Sequence, residues 1–344
     1  MHPSPLAKLL IWVVFAYAML GCNREPLGAP GTVESAGRAG NGGERERNPG
    51  GEEVVVRLGY QKIGPPFLLK ERSESLKQTI ARAKARPEWI EFAAGPPLLE
   101  AMRASAVDIG YVGETPPVFA QSGGVDFVYV ATDPPAPKAE AILVKKDSPI
   151  KTVADLKGKR VALNRGSNVH YLLLRALDSE QLTIKDVELM FLAPADARSA
   201  FDSGKVDAWV IWDPFQAGAE LAGARILRDG EGLVDNHLFY VARREFANKR
   251  ADLVHAVLEE YRLLSAWEAA HPDEAATLLA KASGIAYEAL LVAEKRHAYG
   301  LAPITPEILR KQQAIADAFF KLQVIPKEIR LTDAFLPAAT YAAR

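Results

Sequence analysis

Two stretches of this chain, about a hundred residues apart, run through the same order of strand, turn and helix, and this recurrence limits the fold more than any other feature. In the first, Val54-Val55-Val56-Arg57-Leu58-Gly59-Tyr60 is β-branched and apolar and predicts a buried strand. Polar and turn residues Gln61 to Pro66 follow, then a helical stretch. Glu88-Trp89-Ile90-Glu91-Phe92 predicts a second strand, and Gly95-Pro96-Pro97 opens a helix over Leu98 to Arg103. Val107-Asp108-Ile109-Gly110-Tyr111-Val112 predicts a third, ending in Gly113-Glu114-Thr115-Pro116-Pro117. In the second stretch the strands are Arg160–Asn164, Val187–Leu192 and Val206–Ile211, and the helices Val169–Leu177 and Ala195–Phe201. Val206-Asp207 repeats Val107-Asp108, and Trp212-Asp213-Pro214 stands where Glu114-Thr115-Pro116 stands. Alternating strands and helices build mostly parallel sheets, so the pattern predicts two α/β lobes of similar topology. From about Arg243 to Lys327 the period is helical: Leu253, Val257, Tyr261 and Leu264 share one face, and Ile308, Gln312, Ile315 and Phe319/Phe320 another.

Length agrees with two lobes. At about 100–200 residues per domain, 344 residues make two. Lys+Arg is 42 and Asp+Glu 43, a net charge of −1; that balance argues against nucleic acid as the main partner, which needs a basic face to displace counterions, but leaves room for a local positive pocket. The single cysteine, Cys22, excludes intramolecular disulfides and cysteine zinc clusters. It follows a basic start, Lys8, and the apolar run Leu9 to Gly21, which reads as a secretory signal too short to span a bilayer comfortably. Met19-Leu20-Gly21-Cys22 resembles a bacterial lipobox, although Met and Leu depart from its commonest form. On this reading 1–22 is a signal peptide, Cys22 the lipid attachment point, and 23–52, rich in Gly, Arg, Asn, Glu and Pro, a flexible linker too poor in apolar side chains to order itself. The other reading is a plain signal peptide with an incidental cysteine.

Two α/β lobes bind ligand at the C-terminal ends of their strands, so the residues there are the candidates. The turn Gly166-Ser167-Asn168 precedes a helix whose free N–H groups and dipole suit a monoanion; otherwise Ser167 or Asn168 is simply a cap. Gln61 ends the first strand and carries both donor and acceptor, or is a surface amide. Gly113 allows close backbone approach, and Thr115 offers a hydroxyl and an N–H. Glu114 is out of place beside an anion; it pairs with Lys62 or Lys138, or receives a ligand ammonium. Trp212 covers an alkyl or aryl group or packs in the core, where Trp209 is the better candidate. Asp213 caps the segment after Pro214. His170 either donates to the anion or lies on the surface. No second His or Cys accompanies His170, so no metal is expected; phosphate-loop, dinucleotide and nucleophile-elbow motifs are absent, so no cofactor is expected. A Ser167–His170–Asp213 triad can be drawn, but any two-lobe cleft contains such residues, and no catalytic residue is assigned.

Taken together, Gly59-Tyr60-Gln61-Lys62, Gly113-Glu114-Thr115-Pro116-Pro117, the segment Pro134 to Ile142, Gly166 to Leu173, Pro194-Ala195-Asp196-Ala197 and Trp209 to Phe215 resemble the aliphatic-sulfonate-binding proteins of bacterial ABC importers. The resemblance runs from about Val54 to Leu336. It implies a type II periplasmic binding protein fold, with lobe one at 53–141 plus 240–344, lobe two at 142–239, crossing segments near 140–144 and 237–242, and the C-terminal helices packed mainly on lobe one. It also implies a monomeric, non-enzymatic periplasmic protein, attached to the membrane only through an N-terminal lipid, that delivers an alkanesulfonate to a permease and its ATPase subunit. Matching motifs carry over Gln61, Gly113, Glu114, Thr115, Ser167 and Asn168 as donors, with Trp212, Asp213 and His170 facing the ligand from lobe two. Taurine, nitrate, sulfate, bicarbonate or a thiamine-precursor pyrimidine are the rival ligands. The enzymes of related fold are desulfinases that need a body cysteine, which this chain lacks, and pyrimidine synthases, which a secretory leader disfavours.

Overall fold

The structure, a computed structural model, describes residues 53–335; the predicted leader, Cys22 and the 23–52 linker lie outside the described residues. The first half contains β1 (Val54–Tyr60), α1 (Gly64–Glu71), α2 (Glu74–Ala81), β2 (Ala85–Glu91), α3 (Gly95–Arg103), β3 (Ile109–Gly113), α4 (Thr115–Ser122) and β4 (Phe127–Thr132). Next come β5 (Glu140–Lys145), β6 (Arg160–Leu163), α5 (Asn168–Ser179), β7 (Glu188–Phe191), α6 (Pro194–Asp202), β8 (Ala208–Trp212), α7 (Phe215–Leu221) and β9 (Ala224–Asp229). The chain closes with β10 (Leu238–Arg243), α8 (Arg244–Lys249), α9 (Ala251–Ala270), α10 (Pro272–Ser283), α11 (Tyr287–Arg296) and α12 (Pro306–Lys321). Among the described residues no helix is long and apolar enough to cross a membrane.

These strands form two five-stranded sheets of matching order, β2-β1-β3-β10-β4 and β7-β6-β8-β5-β9. In each, the first three strands are parallel and the fourth runs against its two neighbours. The fold is therefore α/β with mostly parallel sheets, as the strand–helix alternation requires. The repeated Val-Asp pair sets the register in both. Asp108 N–H donates to the Arg57 carbonyl at 2.8 Å, and Arg57 N–H donates back to Asp108 Oδ2 at 3.1 Å. Asp207 and Arg160 make the same two bonds at 2.8 Å each. The pairs one residue on are Leu58 with Ile109 and Val161 with Ala208. A carboxylate that closes the start of a parallel pair satisfies N–H groups the ladder leaves over. Pro87 sits in β2, an edge strand, where a missing N–H costs no ladder bond. The helix positions expected to face inward at Leu253, Val257, Tyr261 and Leu264 are buried, as are Gln312, Ile315 and Phe319; Phe320 is exposed.

The passages between sheets differ from the expected ones. Residues 140–144 and 238–242 lie inside β5 and β10, each the antiparallel strand of its sheet. The chain changes sheet at 133–139 and 230–237 instead, ahead of the expected lobe boundaries at 141/142 and 239/240. The reason is that an apolar run such as Ala141-Ile142-Leu143-Val144 gains more as a fully buried strand than as a connection. The two passages are bonded to each other: Ala136 N–H to the Asp235 carbonyl at 3.0 Å, and Asn236 Nδ2 to the Ala136 carbonyl at 2.9 Å. Of the C-terminal helices, α9 packs on α1 and α2 and α10 on α1, but α11 packs on α7 of the other half.

Candidate functional site

A cavity opens where the C-terminal ends of the strands of the two sheets meet. It encloses about 760 Å³ of empty space, including the part open to solvent. Of the residues the sequence singles out, Gln61, Gly113, Ser167, Asn168, Trp212 and Asp213 line it; Glu114, Thr115 and His170 do not.

Helix starts crowd this wall, and their sequences sort them. The helices α1, α3 and α4 each carry Pro-Pro in the first turn, at Pro65-Pro66, Pro96-Pro97 and Pro116-Pro117. Proline fits the first turn but removes the N–H an anion would use. The start of α7 is occupied by its own carboxylate, Asp213 Oδ1 accepting the Ala217 N–H at 3.0 Å, as expected of a cap. Helix α5 has neither proline nor acid in its first turn. Ser167 stands at its N-cap but makes no capping bond; its hydroxyl donates to the Asn164 carbonyl at 2.7 Å. The Asn168 and Val169 N–H groups are thus left without a helical acceptor, and α5 is the start best provided with donors.

Asn168 also ties the halves together. Its Oδ1 accepts the Thr115 N–H of α4 at 3.3 Å, and its Nδ2 donates to Asn236 Oδ1 at 2.5 Å. A Cβ on Gly113 would stand 1.9 Å from Asn168 Oδ1. Gly113 is glycine because a side chain from the other half lies against it, where close approach of a backbone had been expected. Gln61 is 5% exposed and donates from Nε2 to the Tyr111 carbonyl at 3.1 Å. Trp212 is partly buried on the wall while Trp209 is fully buried in the core.

The three residues off the wall have other work. Glu114 is 3% exposed; Oε2 accepts the His237 N–H at 3.0 Å and Oε1 is buried without a partner. Its expected partners pair elsewhere, Lys62 with Glu91 at 3.4 Å and Lys138 with Glu231 at 3.2 Å. Burial pushes the Glu114 carboxyl up to about 8, against the pull of the His237 N–H. Thr115 is fully buried. His170, expected on the surface or at the anion, is 1% exposed and packed among Phe119, Phe191 and Phe319. Burial drives it down to about 4, with Arg165 adding to the shift, so the ring is neutral near pH 7. The sketched triad does not assemble: Ser167 bonds Asn164, His170 Nδ1 accepts from Gly166 N–H at 3.4 Å, and Asp213 faces Arg296 at 3.5 Å.

Sequence reading missed the rest of the wall. Lys62 and Gly95 belong to it, although both stood in turns already recognised at strand ends. Ala136, Ala139 and Asn236 bring the crossing segments into it. Leu279, Leu290, Ala293, Glu294 and His297 come from α10, α11 and the residue after it, and no local signal distinguishes them from other helix residues. Arg296 fixes that wall to the second half, its two terminal nitrogens each 2.8 Å from a Glu220 oxygen. Asp213, next to this arginine, is still raised to about 6 because burial outweighs the guanidinium.

Residues 95–275 match the family model described as NMT1/THI5 like. A protein of Escherichia coli (strain K12) named as an aliphatic sulfonates-binding protein is 41% identical over 277 residues, covering 80% of this chain and 86% of its own. Among solved structures, the alkanesulfonate-binding protein SsuA from Xanthomonas axonopodis pv. citri, bound to MOPS, is 36% identical with a TM-score of 0.79, over 83% of this chain and 99% of that one. The periplasmic aliphatic sulphonate binding protein SsuA from Escherichia coli is 38% identical with a TM-score of 0.75, over 82% and 92%.

Proposed function

Because the chain belongs to the aliphatic-sulfonate-binding proteins, within the NMT1/THI5-like family, we propose that it captures an alkanesulfonate in the cavity between its sheets and presents it to the permease of an ABC importer. The observation that carries this reading is the start of α5, which has neither proline nor acid in its first turn, while the neighbouring helix starts are blocked by Pro-Pro or by Asp213. A sulfonate is ionised at every physiological pH, so it needs donors and no base. The N–H groups of Asn168 and Val169 and the Gln61 amide meet that need, with Lys62 beside them. Trp212, Ile63, Leu279 and Leu290 supply apolar surface for the tail.

Capture works as a population shift. The crossing segments 133–139 and 230–237 are the hinge, and Ala136, Ala139 and Asn236 bring them to the cavity wall. A ligand that bonds α5 on one side and Gln61 on the other favours the form with both walls together, and that form is what a permease recognises. The site of action is the periplasm. Cys22 is the lipid attachment point, with 23–52 as its tether; incorporation of labelled palmitate, lost in Cys22→Ala, checks this.

A melting panel of alkanesulfonates, sulfate and nitrate tests the ligand class. A ligand at 100 times its Kd adds about 2.7 kcal/mol, which shows as a rise of several degrees. A shift with sulfate or nitrate alone would overturn the assignment.

A further inference from the structure

Behind the wall built by α10 and α11 lies a group of acids that anion capture does not use. Glu294 is 6% exposed and lines the cavity. Its Oε2 accepts from the Tyr299 hydroxyl. Glu268 of α9, fully buried, has neither carboxylate oxygen partnered. Asp133 is 1% exposed, and takes the hydroxyls of Tyr111 and Tyr240. His297 lies 3.5 Å from Asp133 and also acts on Glu294. Among the described residues no three His, Cys, Asp or Glu side chains are placed to share a metal ion.

An acid on the wall of an anion site works against its ligand unless the ligand carries a compensating charge. Building on the sulfonate reading above, we propose that Glu294 is a specificity residue that receives a cationic amine on the tail of the ligand, so that the preferred substrates are aminoalkanesulfonates rather than plain alkanesulfonates.

The surroundings assign the charge to Glu294. Burial raises both carboxyls, Glu268 much further, while the Tyr299 hydroxyl and His297 pull Glu294 back down. Of two acids sharing a dry site, the one with less hydrogen bonding keeps the proton. Glu268 is therefore the neutral member, and Glu294 is the member that ionises when an ammonium arrives. Of the two cations that follow Glu294 in α11, Lys295 is exposed, and Arg296 is taken up by Glu220 and Asp213 and does not compete. Lys62 is the one lysine or arginine on the described wall, and it pairs with Glu91.

The test is calorimetric titration of the purified protein with ethane-, propane- and butanesulfonate, each against its ω-amino and ω-hydroxy counterpart. The expected result is that at one chain length or more the amine binds at least tenfold tighter than the plain tail. In Glu294→Gln that ratio should fall to within about threefold. Glu294→Asp, which draws the carboxylate back by one carbon, should move the best amine to a longer chain. Equal binding of amine and plain tails at every length, a preference for the hydroxyl, or a preference that survives Glu294→Gln would overturn the proposal. If none of the nine sulfonates bound, the sulfonate reading itself would fall.

Discussion

Replacing Glu114 by glutamine should stabilise the protein at neutral and alkaline pH and leave it unchanged in acid. The carboxyl sits at the start of α4 with one oxygen on the His237 N–H and the other buried without a partner. Burial raises it from 4.5 to about 8. The folded state therefore holds this proton more tightly than the unfolded chain. The stability that comes with the bound proton is fully present below pH 4.5 and is lost as pH rises through 8. Each pH unit in that window costs about 1.4 kcal/mol, which reaches on the order of 4 kcal/mol near pH 8. Glutamine has nearly the same shape. Its oxygen can still accept from His237 and its amide can stand where the carboxylic O–H stands, but it has no proton to lose. Thermal melts of wild type and Glu114→Gln from pH 5 to pH 8 should diverge steadily. At about 2–4 °C per kcal/mol for a chain of this size, the variant should melt on the order of 10 °C higher at pH 8. A difference that is zero at pH 8, or the same at both ends, would refute a neutral buried Glu114.

Two further outcomes follow from the same geometry. Asn168→Ala leaves the Thr115 N–H and the Asn236 amide oxygen unpaired in a buried place; at about 2–3 kcal/mol for such orphans, propanesulfonate affinity by calorimetry should fall about 30- to 150-fold, and a change under threefold would refute its tie between the halves. Asp108→Asn and Asp207→Asn take the charge from the same strand clamp in the two sheets, yet should differ in urea melts. Asp108 is 1% exposed and also faces Arg243 at 2.8 Å, so its loss should cost about 3 kcal/mol. The Asp207 side chain is 31% exposed and serves Arg160 alone, so about 1 kcal/mol is expected; equal costs would refute the account.

What was legible in the sequence was local. A β-branched run such as Val54-Val55-Val56 specifies a strand wherever it lies, and Pro-Pro after Gly95 specifies a helix start, because these choices rest on backbone torsions within a few residues. The repeated Val-Asp pair gave the equivalence of the halves, and it became a shared hydrogen-bonded register. Six of the proposed site residues meet at one cavity because strand ends in parallel sheets point one way. Glu114 and His170 fall away from it for a reason no local pattern holds: which face of α4 or α5 turns inward depends on what arrives against it.

The sequence by itself determined the α/β class, the two-fold recurrence and the segments whose ends meet at the cavity, since each follows from side-chain periodicity and turn chemistry. Only the tertiary structure decided where the chain changes sheet, because β5 and β10 become strands through partners far away in sequence, Glu140 beside Trp212 and Leu238 beside Gly113. It alone decided which acids stand at the cavity wall as well. Glu294 and Glu268 are two acids on separate helices until packing brings them together, where Glu294 reaches the cavity wall and Glu268 is fully buried.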